Sequence, residues 1–105
     1  MRTLGYLNLR GASMRDVAFE ACTIDELDLA RVTASRLSLR GCSIGTLDVR
    51  GATLTDVDLR GASFSTVNGI AGLRGATIDG FQLSLFAPLL ADELGIAVDE
   101  GQPAE

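Results

Sequence analysis

A strict five-residue period runs from Arg2 to Phe64. Every fifth residue from Leu4 is apolar: Leu4, Leu9, Met14, Phe19, Ile24, Leu29, Ala34, Leu39, Ile44, Val49, Leu54, Leu59 and Phe64. Of the thirteen residues two places before these, twelve are apolar, Arg2 being the exception. In the other three phases only Tyr6, Ala18, Ala21 and Ala30 are apolar among thirty-nine positions. Neither ordinary element accommodates such a pattern. Five residues turn a helix by about 140°, which would smear the apolar set around the cylinder. On a flat strand the same step alternates faces. The pattern fits a chain that turns a corner every five residues, with the first and third residues of each short side pointing inward. Four such sides close a square coil.

A ten-residue period lies on top of the first. LRGAS (9–13), FEACT (19–23), LARVT (29–33), LRGCS (39–43), VRGAT (49–53) and LRGAS (59–63) recur in step. The residue two before the central one alternates between small (Ala12, Cys22, Ala52) and large (Leu27, Leu37, Leu47), with Val32 breaking the small series. Facing walls of like size then fill a narrow interior. Composition agrees: with no Trp and 5% aromatic residues, the core must be built from many small units. Gly11, Gly41, Gly51 and Gly61 fall at corners, where positive φ is often needed.

These units resemble the pentapeptide-repeat motif, in which Ala, Asp or Asn and Leu precede two variable residues. The match covers residues 4–67, with Leu or Val often standing where the motif has Ala. The resemblance implies an all-β solenoid, a right-handed quadrilateral β-helix of about three coils. Residues 1–67 are expected to form it, with a loop and a last irregular repeat over 68–78. Residues twenty apart should stack, giving ladders of Thr3/Thr23/Ser43/Ser63, Ser13/Thr33/Thr53 and Asn8/Asp28/Asp48. Asp28 over Asp48 is a like-charge contact unless Arg10, Arg31 or Arg50 screens it.

The register breaks after Val67, because LRGAS at 59 recurs as LRGAT at 73, fourteen residues on. A helical cap is expected over 79–98, with Thr77 or Asp79 as N-cap. Ile78, Phe81 and Leu85 form one apolar stripe, and Ala87, Leu90, Ala91 and Leu94 another. Pro88 between them predicts a kink or two short helices. Gly95 marks the stop, with Ile96 packing back, and 99–105 reads as a disordered tail. The apolar cap on a small body with one open end suggests a homodimer. C-terminal helices often mediate dimerisation in the family that the repeats resemble, so Phe81, Leu85, Phe86 and Leu89 are the candidate interface residues. The alternative is that they fold back on the last coil.

No catalytic constellation is visible: the chain has no His, no phosphate loop and no acid pair beside an obvious cleft. Cys22 and Cys42, twenty residues apart, read as stacked core residues. Parallel side chains do not converge as a disulfide requires, and two thiols without His are too few for a metal. No catalytic, cofactor or metal site is expected. Arg10, Arg40, Arg50 and Arg60 read as solvated residues with local ion pairs, and no nucleic-acid binding is expected. The start has no apolar run and no stretch reaches membrane-spanning length, so a cytoplasmic protein with no membrane contact is expected.

The expected function is a non-enzymatic protein–protein interaction or scaffold module with an unidentified protein partner. Some pentapeptide-repeat proteins, of the fluoroquinolone-resistance type, instead mimic duplex DNA and bind DNA gyrase through a long acidic rod. Here residues 1–76 carry nine Arg against eight acids, and the other six acids follow them. The body is near neutral, which disfavours mimicry.

Overall fold

The computed structural model describes residues 2–99 and Gly101. Eight strands alternate between two parallel sheets. β1 (Arg2–Asn8), β3 (Cys22–Asp28), β5 (Ser43–Asp48) and β7 (Ser63–Asn68) make one; β2 (Ser13–Ala18), β4 (Thr33–Ser38), β6 (Thr53–Asp58) and β8 (Ala76–Thr77) make the other. The chain is a β-solenoid of about four coils, closed by a C-terminal α-helix. The sequence count of about three coils falls short because it stops at residue 67, whereas the chain leaves the solenoid only briefly and returns as β8.

Stacking is in register. Arg2 pairs with Cys22, Thr33 with Thr53, and Asp28 with Asp48. The three predicted ladders therefore exist, and Asn68 extends the Asn8/Asp28/Asp48 column by one place. Both inward phases point into the coil. Ile24, Val32, Leu39, Leu47 and Val57 are among the most buried side chains. Leu4, Leu7, Leu9, Met14 and Phe19 of the first coil are half-buried, because a single neighbouring coil covers them. Cys22 and Cys42 are free thiols in one inward column. Cys42 Sγ donates to the Phe19 carbonyl at 3.2 Å, and burial pushes its thiol pKa up.

Alternate corners are tight turns. Ala12 N–H donates to the Leu9 carbonyl at 2.9 Å, and Val32, Cys42, Ala52 and Ala62 repeat the bond at 3.1–3.2 Å. The third residue of each of these turns has positive φ, as a type II turn requires. Glycine supplies it at 11, 41, 51 and 61, but Arg31 holds the same conformation at φ 57°.

After β7 the chain makes a 3-10 turn over Ile70–Leu73. Gly72 passes so close to the coil below that a Cβ would run into the Val49 carbonyl. Val57 then pairs with Ala76, one residue short of the twenty separating every earlier pair. That single-residue slip is the register break seen in the sequence.

Helix α1 (Gly80–Leu94) follows. It is one continuous helix with Pro88 inside it, so the alternative of two short helices does not hold. Pro88 and Ser84, whose carbonyl loses its helical donor, both lie on the exposed side, where water can serve that carbonyl. The helix ends at Leu94, so residues 95–98 of the expected cap lie outside it. Gly95 closes it at φ 72°, and Ile96 N–H donates to the Ala91 carbonyl at 2.8 Å. The Ile96 side chain nevertheless remains 54% exposed. The reading of 99–105 as disordered falls mainly outside the described residues; Asp99 accepts the Gly101 N–H at 2.8 Å.

The coil predicts its weakest point. Leu39 is 0% exposed, in the middle of the stack. Leu39→Asp would bury an unpaired carboxylate and is expected to cost more than about 4 kcal/mol, enough to unfold the chain. A thermal melt followed by circular dichroism checks this; a wild-type midpoint would contradict the inward register.

Candidate interaction surface

Asp79 and Gln82 fix the helix twice over. The Asp79 carboxylate accepts the Gln82 N–H at 2.8 Å, and Gln82 Oε1 accepts the Asp79 N–H at 2.9 Å, a reciprocal capping box. The same side chains fasten the helix to the coil. Asp79 Oδ2 accepts the Gly61 N–H at 3.0 Å. Gln82 Nε2 donates to the carbonyls of Leu59 and Ala62 at 2.5 and 2.7 Å. These are backbone groups that no further coil covers, and buried ones must find a partner. Gln82 is only 2% exposed. One turn later Phe86 is buried against Phe64, with ring centroids 5.9 Å apart.

The inner face is therefore Gln82, Phe86 and half-buried Leu90, four residues apart. Sequence reading missed Gln82, since a polar residue interrupts the apolar stripe that would have revealed this face. The Asp79-x-x-Gln82 capping box was the available signal.

The four candidate interface residues separate into two groups. Phe86 belongs to the cap and is not available to a partner while the helix is docked. Phe81, Leu85 and Leu89 lie on the outer face, 74%, 55% and 37% exposed. Their spacing of four places them in one stripe. Isolated exposed apolar residues are ordinary, but a stripe of three on one helix face is a feature of binding surfaces. Beside the inner face, a groove of about 340 Å³ runs between the helix and the last coil, lined mainly by Ile70, Leu73, Ile78, Phe86, Leu90 and Leu94.

The solenoid walls carry charge differently. At the residue before each tight turn, a side chain accepts the N–H two residues on. Asn8, Asp28, Asp48 and Asp58 do so at 3.0–3.1 Å. Arginines then neutralise the carboxylates. Arg10 Nε donates to Asp28 at 3.1 Å, and its guanidinium lies 4.0 Å from Asp48. Arg50 and Arg60 grip Asp48 and Asp58 through two nitrogens each, and Arg40 reaches Asp58 at 3.7 Å. Arg36 does the same for Asp16. Thus Arg10 and Arg50 screen the Asp28/Asp48 contact, while Arg31 is not among its ion pairs. Burial opposes the charge on Asp28, but the Ala30 N–H and Arg10 outweigh it and hold its carboxyl below the usual value. The Arg50 guanidinium lowers Asp48 likewise. Asp58, bonded chiefly to Arg60, is lowered from 3.8 to about 2.

A depressed carboxylate stabilises the fold above its unfolded pKa and loses that contribution as pH falls through its folded value. Stability should be flat from about pH 7 to pH 5, then decline from about pH 4 toward pH 2. Urea midpoints across that range check this, and Asp58→Asn should lessen the acid slope. A midpoint constant down to about pH 2 would contradict the ladder.

Comparison with protein-family models and with curated proteins gives no match, so the functional reading rests on this helix face and these charged corners.

Proposed function

We propose that this chain is a non-enzymatic member of the pentapeptide-repeat family that serves as a protein–protein interaction module and self-associates through the outer face of α1. The thirteen five-residue units and their in-register stacking support the family. The observation that carries the function is the Phe81/Leu85/Leu89 stripe on a helix whose buried residues are Gln82 and Phe86.

The partner proposed is a second copy in an antiparallel helix pair. Asp92 follows Leu89 on the same stripe, near the negative end of its own helix dipole, and no base lies in that last turn. An antiparallel partner would bring its positive N-terminal turn beside Asp92; that turn contains no acid, and the N-cap Asp79 before it is bonded to the N–H groups of Gln82 and Gly61. A parallel pair would place the two Asp92 side chains together.

Light scattering at about 100 μM, well above the dissociation constant of about 1 μM taken for a specific dimer, should give twice the 11.0 kDa chain mass. Leu85→Asp should return the mass to one chain with an unchanged circular dichroism spectrum. A monomeric wild type, or a dimeric Leu85→Asp, would overturn the reading.

Mimicry of duplex DNA gains no support from the charged walls. A duplex presents one negative charge per about 1.7 Å of axis, whereas Asp16, Asp28, Asp48 and Asp58 each lie against an arginine. Purified protein at low micromolar concentration is expected to leave gyrase supercoiling unaffected. Salt-sensitive inhibition would restore the mimic reading.

A further inference from the structure

One corner of the solenoid already holds an anion. At Arg60–Gly61 the Asp79 carboxylate accepts the Gly61 N–H. The N–H groups of Gln82 and Gly61, and then the charge of Arg60, hold that carboxyl below its usual value. An aspartate from outside the coil thus occupies a positive-φ glycine corner beside an arginine.

The Arg50–Gly51 corner, ten residues earlier, is built the same way. Asp48 accepts the Arg50 N–H and Nε–H as Asp58 accepts those of Arg60. Ala52 N–H closes the turn onto the Val49 carbonyl at 3.1 Å, as Ala62 does onto Leu59. Gly51 has φ 70° and Gly61 φ 78°. The difference lies in what covers the corner. Among the described residues no carboxylate reaches Gly51, and its N–H makes no hydrogen bond. The corner instead faces a surface cleft of about 370 Å³ bordered by Arg10, Ala30, Arg31, Arg50 and Gly51.

That cleft is preorganised and positive. Asp28 holds Arg10 from behind, and Asp48 holds Arg50. Arg31 makes no ion pair among the described residues, and its Cγ lies against the face of Gly51 where a Cβ would stand. Three guanidiniums and two carboxylates leave one surplus positive charge, on Arg31, beside Gly51. We propose that the Arg50–Gly51 corner binds an oxyanion of the phosphate class, with the unpaired Arg31 guanidinium as its donor, Arg10 and Arg50 as fixed walls and Gly51 at its edge. Phosphate is favoured over carboxylate because three arginines border this corner, whereas Arg60 is the arginine that acts on Asp79. Guanidiniums match phosphate oxygens with paired N–H donors.

The test is a titration of the 15N-labelled full chain with sodium phosphate at constant ionic strength, so that general screening is unchanged. The Gly51 amide and the Arg31 Nε–H should shift and saturate together, with acetate binding more weakly. Arg31→Gln should weaken phosphate binding about tenfold or more with an unchanged melting temperature. Arg15→Gln, an exposed arginine of β2 away from this cleft, should not alter it. A non-saturating response, an unshifted Gly51, acetate binding as tightly as phosphate, or equal losses in the two variants would each overturn the proposal.

Discussion

Each side chain of the solenoid must share a column with the side chains twenty residues before and after it, at the parallel-sheet spacing of about 4.8 Å. The rest of the molecule follows from this stacking. Inside, most column neighbours are alike in size: Leu27 under Leu47 and Leu37 under Val57 make broad columns, and Cys22, Cys42 and Ala62 a narrow one, whereas Ala34 stands between Met14 and Leu54. Outside, repetition is a hazard, since a charge that repeats every coil stacks on itself. Asp28 and Asp48 are such a pair. Each nonetheless bonds a corner N–H, and Arg10 spans both carboxylates while Arg50 clamps one. The like-charge contact is thereby converted into an alternating array.

A stack of parallel strands leaves unpaired backbone at its ends. Here the cap meets that need with polar chemistry before apolar burial. Gln82 bonds two carbonyls and Asp79 one N–H of the same corner, so the helix is attached at the Leu59–Ala62 turn before Phe86 covers Phe64. An apolar residue at 82 would take this donor from the Ala62 carbonyl, at about 1–3 kcal/mol for a buried group, and leave the Leu59 carbonyl with the Ala62 N–H alone. The consequence reaches the neighbouring flank of the helix, about 100° round from the docked face. Because the docking face is short and partly polar, Phe81, Leu85 and Leu89 remain in solvent.

Much of this architecture was legible in the residues. The two inward phases, the glycine corners, the stacked Thr/Ser and Asp columns, the Asp79 cap and the Gly95 stop follow from local chemistry that repeats or punctuates. The failures have physical causes. The fourth coil is hidden because a one-residue slip between Val57 and Ala76 removes β8 from the five-residue count. The helix face was misassigned because a glutamine, not a leucine, lies at its most buried position. Arg31 adopts a conformation that composition assigns to glycine. The anion corner is a comparison between two turns, one covered by Asp79 and one not. It becomes visible only when the chain's return path is known.

The in-register coil also acts as a ruler. Adding or removing a whole twenty-residue unit would translate everything beyond it along the stack by about 4.8 Å without changing which columns meet. The cap's polar bonds reach only the turn at Leu59–Ala62, so the capping helix would travel with that turn as a rigid piece. The distance between the arginine cleft and the outer helix face is thus quantised. Such a chain can alter the separation of two surfaces in fixed increments while leaving the chemistry of each intact, a freedom that a globular core, with every residue packed against many elements, does not have.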